Sequence, residues 1–263
     1  MKYLLRILLP VILITGFHVA SYAQDGKVVT AKKHRVQVLA EYPHDVTSYT
    51  QGLCFKDGVM WESTGQYGAS HLMKVNYKNG KWQRKWKFSR RYFIEGSCWL
   101  GDNIFILTWM EHTCFVFTLD AKGKLKKVGT ASYPSEGWGI TTDGKSLIMS
   151  DGTSLLRFME PNSFYCKSTL KVTYNGKPLN NLNELEWIEG KIWANVYLTD
   201  NIVIIDPETG VVTDVIDCKG LLPDKQKNKA TDVLNGIAYN PLDKSIYITG
   251  KYWPRLYKVK SPY

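Results

Sequence analysis

The chain has 263 residues, enough for one large domain or two small ones. Apolar residues make up 44% and aromatics 13%, which supports a sizeable core and excludes a disordered polypeptide. The formal charge of +10 comes from lysines spread along the chain, with no basic helix or RNA-binding motif, so it describes a solvated surface and not a nucleic-acid interface.

The chain opens "MKYLLRILLPVILITGFHVASYAQDG". Lys2 and Arg6 give a basic start, Ile7 to Phe17 is an apolar run too short for a convincing membrane span, and Ser21-Tyr22-Ala23 is a small-x-small cleavage signal. The pattern predicts a secretory signal peptide over residues 1–23, cut after Ala23. No later segment has the ~18 apolar residues needed to span a bilayer. The mature chain is therefore expected to be secreted or periplasmic, without stable membrane insertion, and monomeric. Residues 24–34 read as an N-terminal extension and 35–263 as a single domain.

Five segments of that domain repeat one phrase. They are "QGLCFKDGVMWESTG" from Gln51, "EGSCWLGDNIFILTW" from Glu95, "EGWGITTDGKSLIMSDG" from Glu136, "NELEWIEGKIWANVY" from Asn183 and "NGIAYNPLDKSIYITGK" from Asn235. Each has a polar residue, a short apolar strand, a turn such as Asp57-Gly58 or Glu189-Gly190, and a second apolar strand. Asp-Gly and similar pairs between apolar runs are hairpin signals. Further strand pairs lie between the phrases, for example "HLMKVNYKNGKWQRKWKF" from His71 and "IVIIDPETGVVTDVIDC" from Ile202. Helix signals are almost absent. Four strands in about 45 residues is the period of a propeller blade. The expectation is an all-β, five-bladed β-propeller. A sandwich would not call for five copies of one phrase.

Repetition turns sequence position into geometry. Gln51, Glu95, Glu136, Asn183 and Asn235 should ring the axis. Fourteen residues on, Gly65, Trp109, Ser150, Tyr197 and either Gly250 or Lys251 should form a second ring at the same mouth. With Tyr49, Phe93 and Trp138 close by, these rings outline an aromatic hollow with a few converging polar groups, the usual form of a small-ligand site. Inner-ring polar residues that only satisfy one another and channel waters are the alternative. The five cysteines have no CxxC or zinc-finger spacing, and the five histidines have no metal-ligand spacing. No metal site and no cofactor is expected.

At these residues the chain resembles the plant-type glutaminyl-peptide cyclotransferases, or glutamine cyclotransferases. The matching phrases include "YTQGL" from Tyr49, "ESTGQYGAS" from Glu62, "YFIEG" from Tyr92, "GWGITTDG" from Gly137, "LNELEWIEGKIWANVY" from Leu182, "DVLNGIAY" from Asp232 and "TGKYWP" from Thr249. They run in order over nearly the whole mature chain. The resemblance implies a five-bladed propeller, peptides or proteins with an N-terminal glutamine as partners, and closure of that glutamine to pyroglutamate with loss of ammonia, without catalytic zinc. It implies Glu95 as the proton-transfer group, Asn183 and Lys251 as further catalytic groups, Gln51 as a substrate contact, and Tyr49, Phe93, Trp109, Trp138 and Tyr197 as an aromatic box. Tyr49 stands where such proteins often have Phe, and Tyr197 where they often have Trp; altered affinity is the expected consequence. Glu62 and Glu136 are expected to be structural. The competing readings are a non-catalytic peptide-binding propeller and a metal-dependent hydrolase or lactonase.

Overall fold

The computed structural model describes residues 29–263, so the expected signal peptide and its expected cleavage site lie outside the described residues. Five antiparallel sheets follow one another along the chain. Blade one runs from Thr50 to Lys87, blade two from Ile94 to Ser132 and blade three from Ile140 to Lys171. Blade four holds the strands between Leu182 and Asp217, and blade five those between Leu234 and Val259. The first strand of each blade packs against the first strands of the blades on either side, and that of blade five packs on that of blade one. The ring is therefore closed, and no blade is left with an open inner edge. The only helix among the described residues is a short 3-10 turn, Asp224–Gln226.

The hairpin turns have the backbone their sequences require. Asp57 and Gly58 both have positive φ (51° and 73°), as do Glu189 and Gly190 (47° and 84°). Each pair closes a two-residue loop, Lys56 facing Val59 and Ile188 facing Lys191. Two left-handed residues match the twist of the strands they join.

Five apolar clusters sit one at each blade interface. Leu72 and Trp61 of blade one meet Ile94 and Ile106 of blade two; Ile188 and Trp193 of blade four meet Ile237 and Trp253 of blade five. Leu53 and Met73 of blade one meet Tyr247 and Leu256 of blade five, which seals the ring. All five cysteines are free, and Cys54, Cys98, Cys114 and Cys218 are buried within these clusters as small apolar groups.

Closure also uses the N-terminal strands. Val38–Pro43 pairs antiparallel with Arg255–Val259 and supplies the outer strand of blade five. Lys32–Arg35 pairs parallel with Val212–Asp217, as a fifth strand on blade four. Lys32–Arg35 thus places part of the expected N-terminal extension, residues 24–34, within the propeller.

Candidate active site

The innermost strands of four blades carry a β-bulge at their start. The register slips between Thr50 and Gly52, Ile94 and Ser97, Leu182 and Leu185, and Leu234 and Ile237. A bulge re-aims the side chain beside it. The residues so placed are Gln51, Glu95, Asn183 and Asn235, all buried. This is the first ring expected from the repeat, with one correction. In blade three the position belongs to Trp138, not to Glu136. Gly139 packs against the backbone of Asn183 and Glu184, and Gly96 against Trp138 and Gly139, so Gly139 is the counterpart of Gly52 and Gly96. The phrase "EGWG" holds two X-Gly pairs two residues apart, and the second, Trp138-Gly139, is the one at the ring.

The second ring shifts in the same blade. The amide N–H groups of Gly65, Trp109, Tyr197 and Lys251 donate to the carbonyls of Tyr49, Phe93, Asn181 and Val233 at 2.9, 2.9, 2.8 and 2.9 Å. Each acceptor lies two residues before a first-ring residue, so Lys251, and not Gly250, is the ring member. In blade three the register that aligns Ile140 with Met149, as Ser97 aligns with Ile106, brings Gly152 to this place, not Ser150. A Cβ on Gly65 would collide with the ring of Phe93, and one on Gly152 with the indole of Trp138. These glycines leave the space that two walls of the hollow occupy.

The hollow has a volume of about 220 Å³ and is lined by Tyr49, Gln51, Gln66, Phe93, Glu95, Trp109, Trp138, Asn183, Tyr197 and Lys251. The nine residues to which the family resemblance gives a catalytic or substrate-binding role all line it, and Gln66 is the addition; Glu62, Glu136 and Asn235 do not line it. The aromatic walls meet edge to face. Ring centroids lie 6.1 Å apart for Tyr49 and Phe93, 5.6 Å for Phe93 and Trp109, and 5.5 Å for Trp138 and Tyr197. Glu136 accepts hydrogen bonds from the indole N–H of both Trp109 (2.7 Å) and Trp138 (2.8 Å). Its carboxylate fixes the angle between two walls. Glu62 is a structural acceptor, taking the Thr50 hydroxyl at 2.7 Å and facing His44 Nε2 at 3.1 Å.

At the base, Glu95 is 5% exposed and takes one hydrogen bond from Gln51 Nε2 at 3.1 Å. Asn235 Nδ2 in turn donates to the carbonyl of Thr50 (2.9 Å) and reaches Gln51 Oε1 (3.4 Å), which fixes the Gln51 amide. Burial pushes the Glu95 carboxyl well above the usual carboxylate range; Lys251 pulls it back, while Glu136 and Glu111 add to the rise. Burial pulls the Lys251 ammonium below its usual range, against the opposing effect of Glu95 and Asp232. The ammonium lies over the rings of Tyr49 (4.4 Å to the centroid) and Tyr197 (5.3 Å). Asn183 lines the hollow, and its Oδ1 is buried without a hydrogen-bond partner. Among the described residues, no group of three or more His, Cys, Asp or Glu side chains is placed to hold a metal ion.

A model of the glutamine cyclotransferase family matches residues 11–261. The chain belongs to the glutamine cyclotransferase family. It is 38% identical over 248 residues to a glutaminyl-peptide cyclotransferase of Arabidopsis thaliana, a match that covers 91% of this chain and 76% of the relative. The crystal structure of Myxococcus xanthus glutaminyl cyclase superposes with a TM-score of 0.81 at 33% identity, covering 88% of this chain and 97% of that one.

In this cyclotransferase-family propeller, two more carboxyl groups hold the channel together below the hollow. Glu184 accepts from the backbone N–H of Leu53 (3.2 Å) and of Ile237 (2.9 Å). Glu186 accepts from Tyr239 N–H (2.8 Å) and the Thr141 hydroxyl (3.2 Å). Glu184 thus joins blade four to blades one and five, a reach open only to a side chain in the central channel. Its polarity in "LNELEWI" is what makes that strand unlike an ordinary core strand.

Proposed function

We propose that the hollow binds the N-terminal glutamine of a peptide and closes it to pyroglutamate, with Glu95 carrying the proton and no metal taking part. The observation that supports this most is the pairing of a buried carboxyl of raised pKa with an ammonium and an unpartnered amide in one aromatic enclosure.

The reaction has two requirements. The α-amine must be neutral to attack the γ-carboxamide carbon, and the departing nitrogen must leave as ammonia. An α-ammonium has a pKa of about 7.7–8.0. Burial raises the Glu95 carboxyl towards that value, which makes proton transfer from the amine less uphill than to an ordinary carboxylate. The carboxylate of Glu95 takes the proton as the amine nitrogen bonds to the γ-carbon. The carbonyl π-pair moves onto oxygen, giving a tetrahedral oxyanion. Glu95 then returns the proton to the amide nitrogen, the oxyanion re-forms the carbonyl, and the C–N bond breaks to release ammonia and leave the lactam.

Lys251 supplies the positive charge that stabilises the oxyanion, and the amide N–H of Asn183, whose side chain lines the same hollow, is the second donor to it. One such preorganised donor is worth about 3–4 kcal/mol. The Gln51 amide, held by Asn235, sets the orientation of the Glu95 carboxyl. Tyr49, Phe93, Trp109, Trp138 and Tyr197 fold the glutamine side chain back on its own amine, and such positioning contributes several kcal/mol.

The test is mass spectrometry and ammonia detection on a Gln-initiated peptide, with and without a chelator. Loss of ammonia unaffected by chelator is expected. Binding of the peptide unchanged marks a non-catalytic peptide module, and abolition by chelator marks a metal-dependent enzyme.

A further inference from the structure

His44 lies between the closing strand Val38–Pro43 and the first strand of blade one, outside the hollow. Its side chain is 5% exposed, and that of Glu62 beside it 2%. His44 Nδ1 lies 2.7 Å from the carbonyl of Trp253, and Nε2 lies 3.1 Å from Glu62 Oε1. A carbonyl only accepts, so Nδ1 carries a proton. A neutral imidazole has one N–H, so its Nε2 would then meet the carboxylate lone pair to lone pair. The Glu62 contact is a hydrogen bond only while a second proton lies between Nε2 and Oε1. Burial opposes a charged imidazole, but the charge and hydrogen bond of Glu62, the Trp253 carbonyl and Asp45 outweigh it and hold His44 above the usual histidine range. Glu62 on blade one and Asp45 on the loop of His44 itself are the charged groups that act on the ring, and blade five presents a backbone carbonyl.

Both partners of His44 lead to the hollow. Glu62 takes the hydroxyl of Thr50, the neighbour of Gln51. Trp253 belongs to the turn over residues 250–254 of blade five, which carries Lys251. That turn is held on one side by Asp232, whose carbonyl accepts the Trp253 indole N–H at 2.8 Å and whose N–H donates to the Lys251 carbonyl at 3.0 Å. On the other side it meets the loop over residues 44–49. His44 N–H donates to the Pro254 carbonyl at 3.0 Å, and Tyr252 N–H donates to the Ser48 carbonyl at 2.7 Å. We propose that His44 is a positioning residue, which fixes the turn bearing Lys251 against the strand bearing Gln51 through a contact that lasts only while the proton shared with Glu62 is present. The inference rests on the proposed reaction for its kinetic readout, since Lys251 and the Gln51–Glu95 pair stand on the two sides that His44 joins.

The experiment compares the native protein, His44→Phe and Glu62→Gln on one Gln-initiated peptide, from about pH 6 to about pH 9, a range that starts near the ordinary imidazole value of about 6.5. Dividing each variant's kcat and KM by the native values at the same pH removes the titration of the substrate amine, which all three share. His44→Phe fills the space without either bond, so at the acid end its kcat should be about tenfold low with KM within about threefold, as expected of a displaced Lys251. That deficit should shrink as pH rises, because the native protein then loses the Glu62 contact too. The Glu62→Gln amide still accepts from Thr50 and donates to a neutral His44 Nε2, so the join no longer needs the second proton. Its kcat should match the native value at the acid end and exceed it by about three- to tenfold at the alkaline end. A Glu62→Gln ratio that stays constant across the range overturns the proposal. So does a His44→Phe protein of lowered melting point whose kcat per folded molecule is unchanged. If His44→Phe does not fold, the Glu62→Gln ratio decides alone. NMR of the free proteins reads the same contact without turnover: the Gln51 amide and Lys251 signals should move with the His44 titration in the native protein and not in Glu62→Gln. Signals that do so in a protein releasing no ammonia refute the reaction and support the positioning; signals that ignore His44 overturn the positioning and leave the reaction standing.

Discussion

Glu95 and Glu184 sit at consecutive levels of the same channel, both almost fully buried, and they are bonded in opposite ways. Glu184 has a backbone N–H on each oxygen, from Leu53 and Ile237, and touches three blades at once. Glu95 has one hydrogen bond, from a side chain, and otherwise faces an open hollow. Burial raises the pKa of both. A perturbed pKa therefore does not tell the two apart. The unspent bonding capacity of Glu95 does, together with the ammonium and amide that share its cavity. The lower carboxyl joins blades, and the upper one keeps bonding capacity towards the hollow.

Substitutions sharpen that contrast. Lys251→Met should lower kcat/KM for a Gln-peptide by about 10²–10³, the loss typical of one preorganised charge at an oxyanion. Its melting temperature should hold or rise, since a buried ammonium is replaced by an apolar chain of similar shape. A parallel fall in both would assign Lys251 to the scaffold. Glu184→Ala should do the reverse. It leaves two buried backbone N–H groups unpaired, at about 1–3 kcal/mol each, and should lower the melting midpoint by roughly 10 °C while turnover per folded molecule changes less than tenfold. An unchanged melting curve would break the comparison from the other side.

Glu186 gives a smaller, pH-dependent effect. Burial pushes its carboxyl up to about 8, against the hydrogen bonds from Tyr239, Thr141 and Trp187. The folded state therefore holds this proton more tightly than the unfolded state does. The stability so gained is complete below the ordinary carboxylate pKa of about 4.3 and is lost as pH rises towards about 8. Unfolding of the native protein and of Glu186→Gln, followed across that window, should diverge with rising pH in favour of the variant. Parallel curves would place the carboxyl in an ordinary environment. The smallest effect belongs to Glu136→Gln. The neutral amide still accepts from both indoles but loses charge assistance, so KM should rise about two- to fivefold with kcat nearly unchanged. A fall in kcat with KM intact would give Glu136 a chemical role.

Much of this was legible because a propeller repeats itself. The hairpin pairs Asp57-Gly58 and Glu189-Gly190 mark strand ends, and the polar-Gly phrase marks the axis, so Gln51, Glu95 and Asn183 could be placed together from spacing. The family resemblance then gave them roles. Blade three is ambiguous in sequence, because the double X-Gly of "EGWG" lets Glu136 or Trp138 stand at the ring position. With Trp138 at the ring, successive spacings become 44, 43, 45 and 52 residues, more even than before. The closing strands Lys32–Arg35 and Val38–Pro43 were illegible, because each pairs with a strand some 180 to 220 residues later. Their sequences also lack alternation, and both are largely exposed. Glu184 and Glu186 gave a polarity signal without a partner, since their partners are backbone amides of other blades. Gln66 follows Gly65 in a matched phrase, and its left-handed backbone leaves no mark in the residue type.

The most direct measurement is ammonia release from a Gln-initiated peptide by Glu95→Gln, made beside a thermal melt and a peptide-binding curve of the same variant. The amide keeps the shape and the hydrogen-bonding reach of the side chain but cannot carry the proton. Turnover lower by about 10²–10⁴, with the fold and peptide affinity retained, is the result expected of a lost proton carrier. Turnover within a few-fold of the native rate in a folded, peptide-binding variant would contradict it.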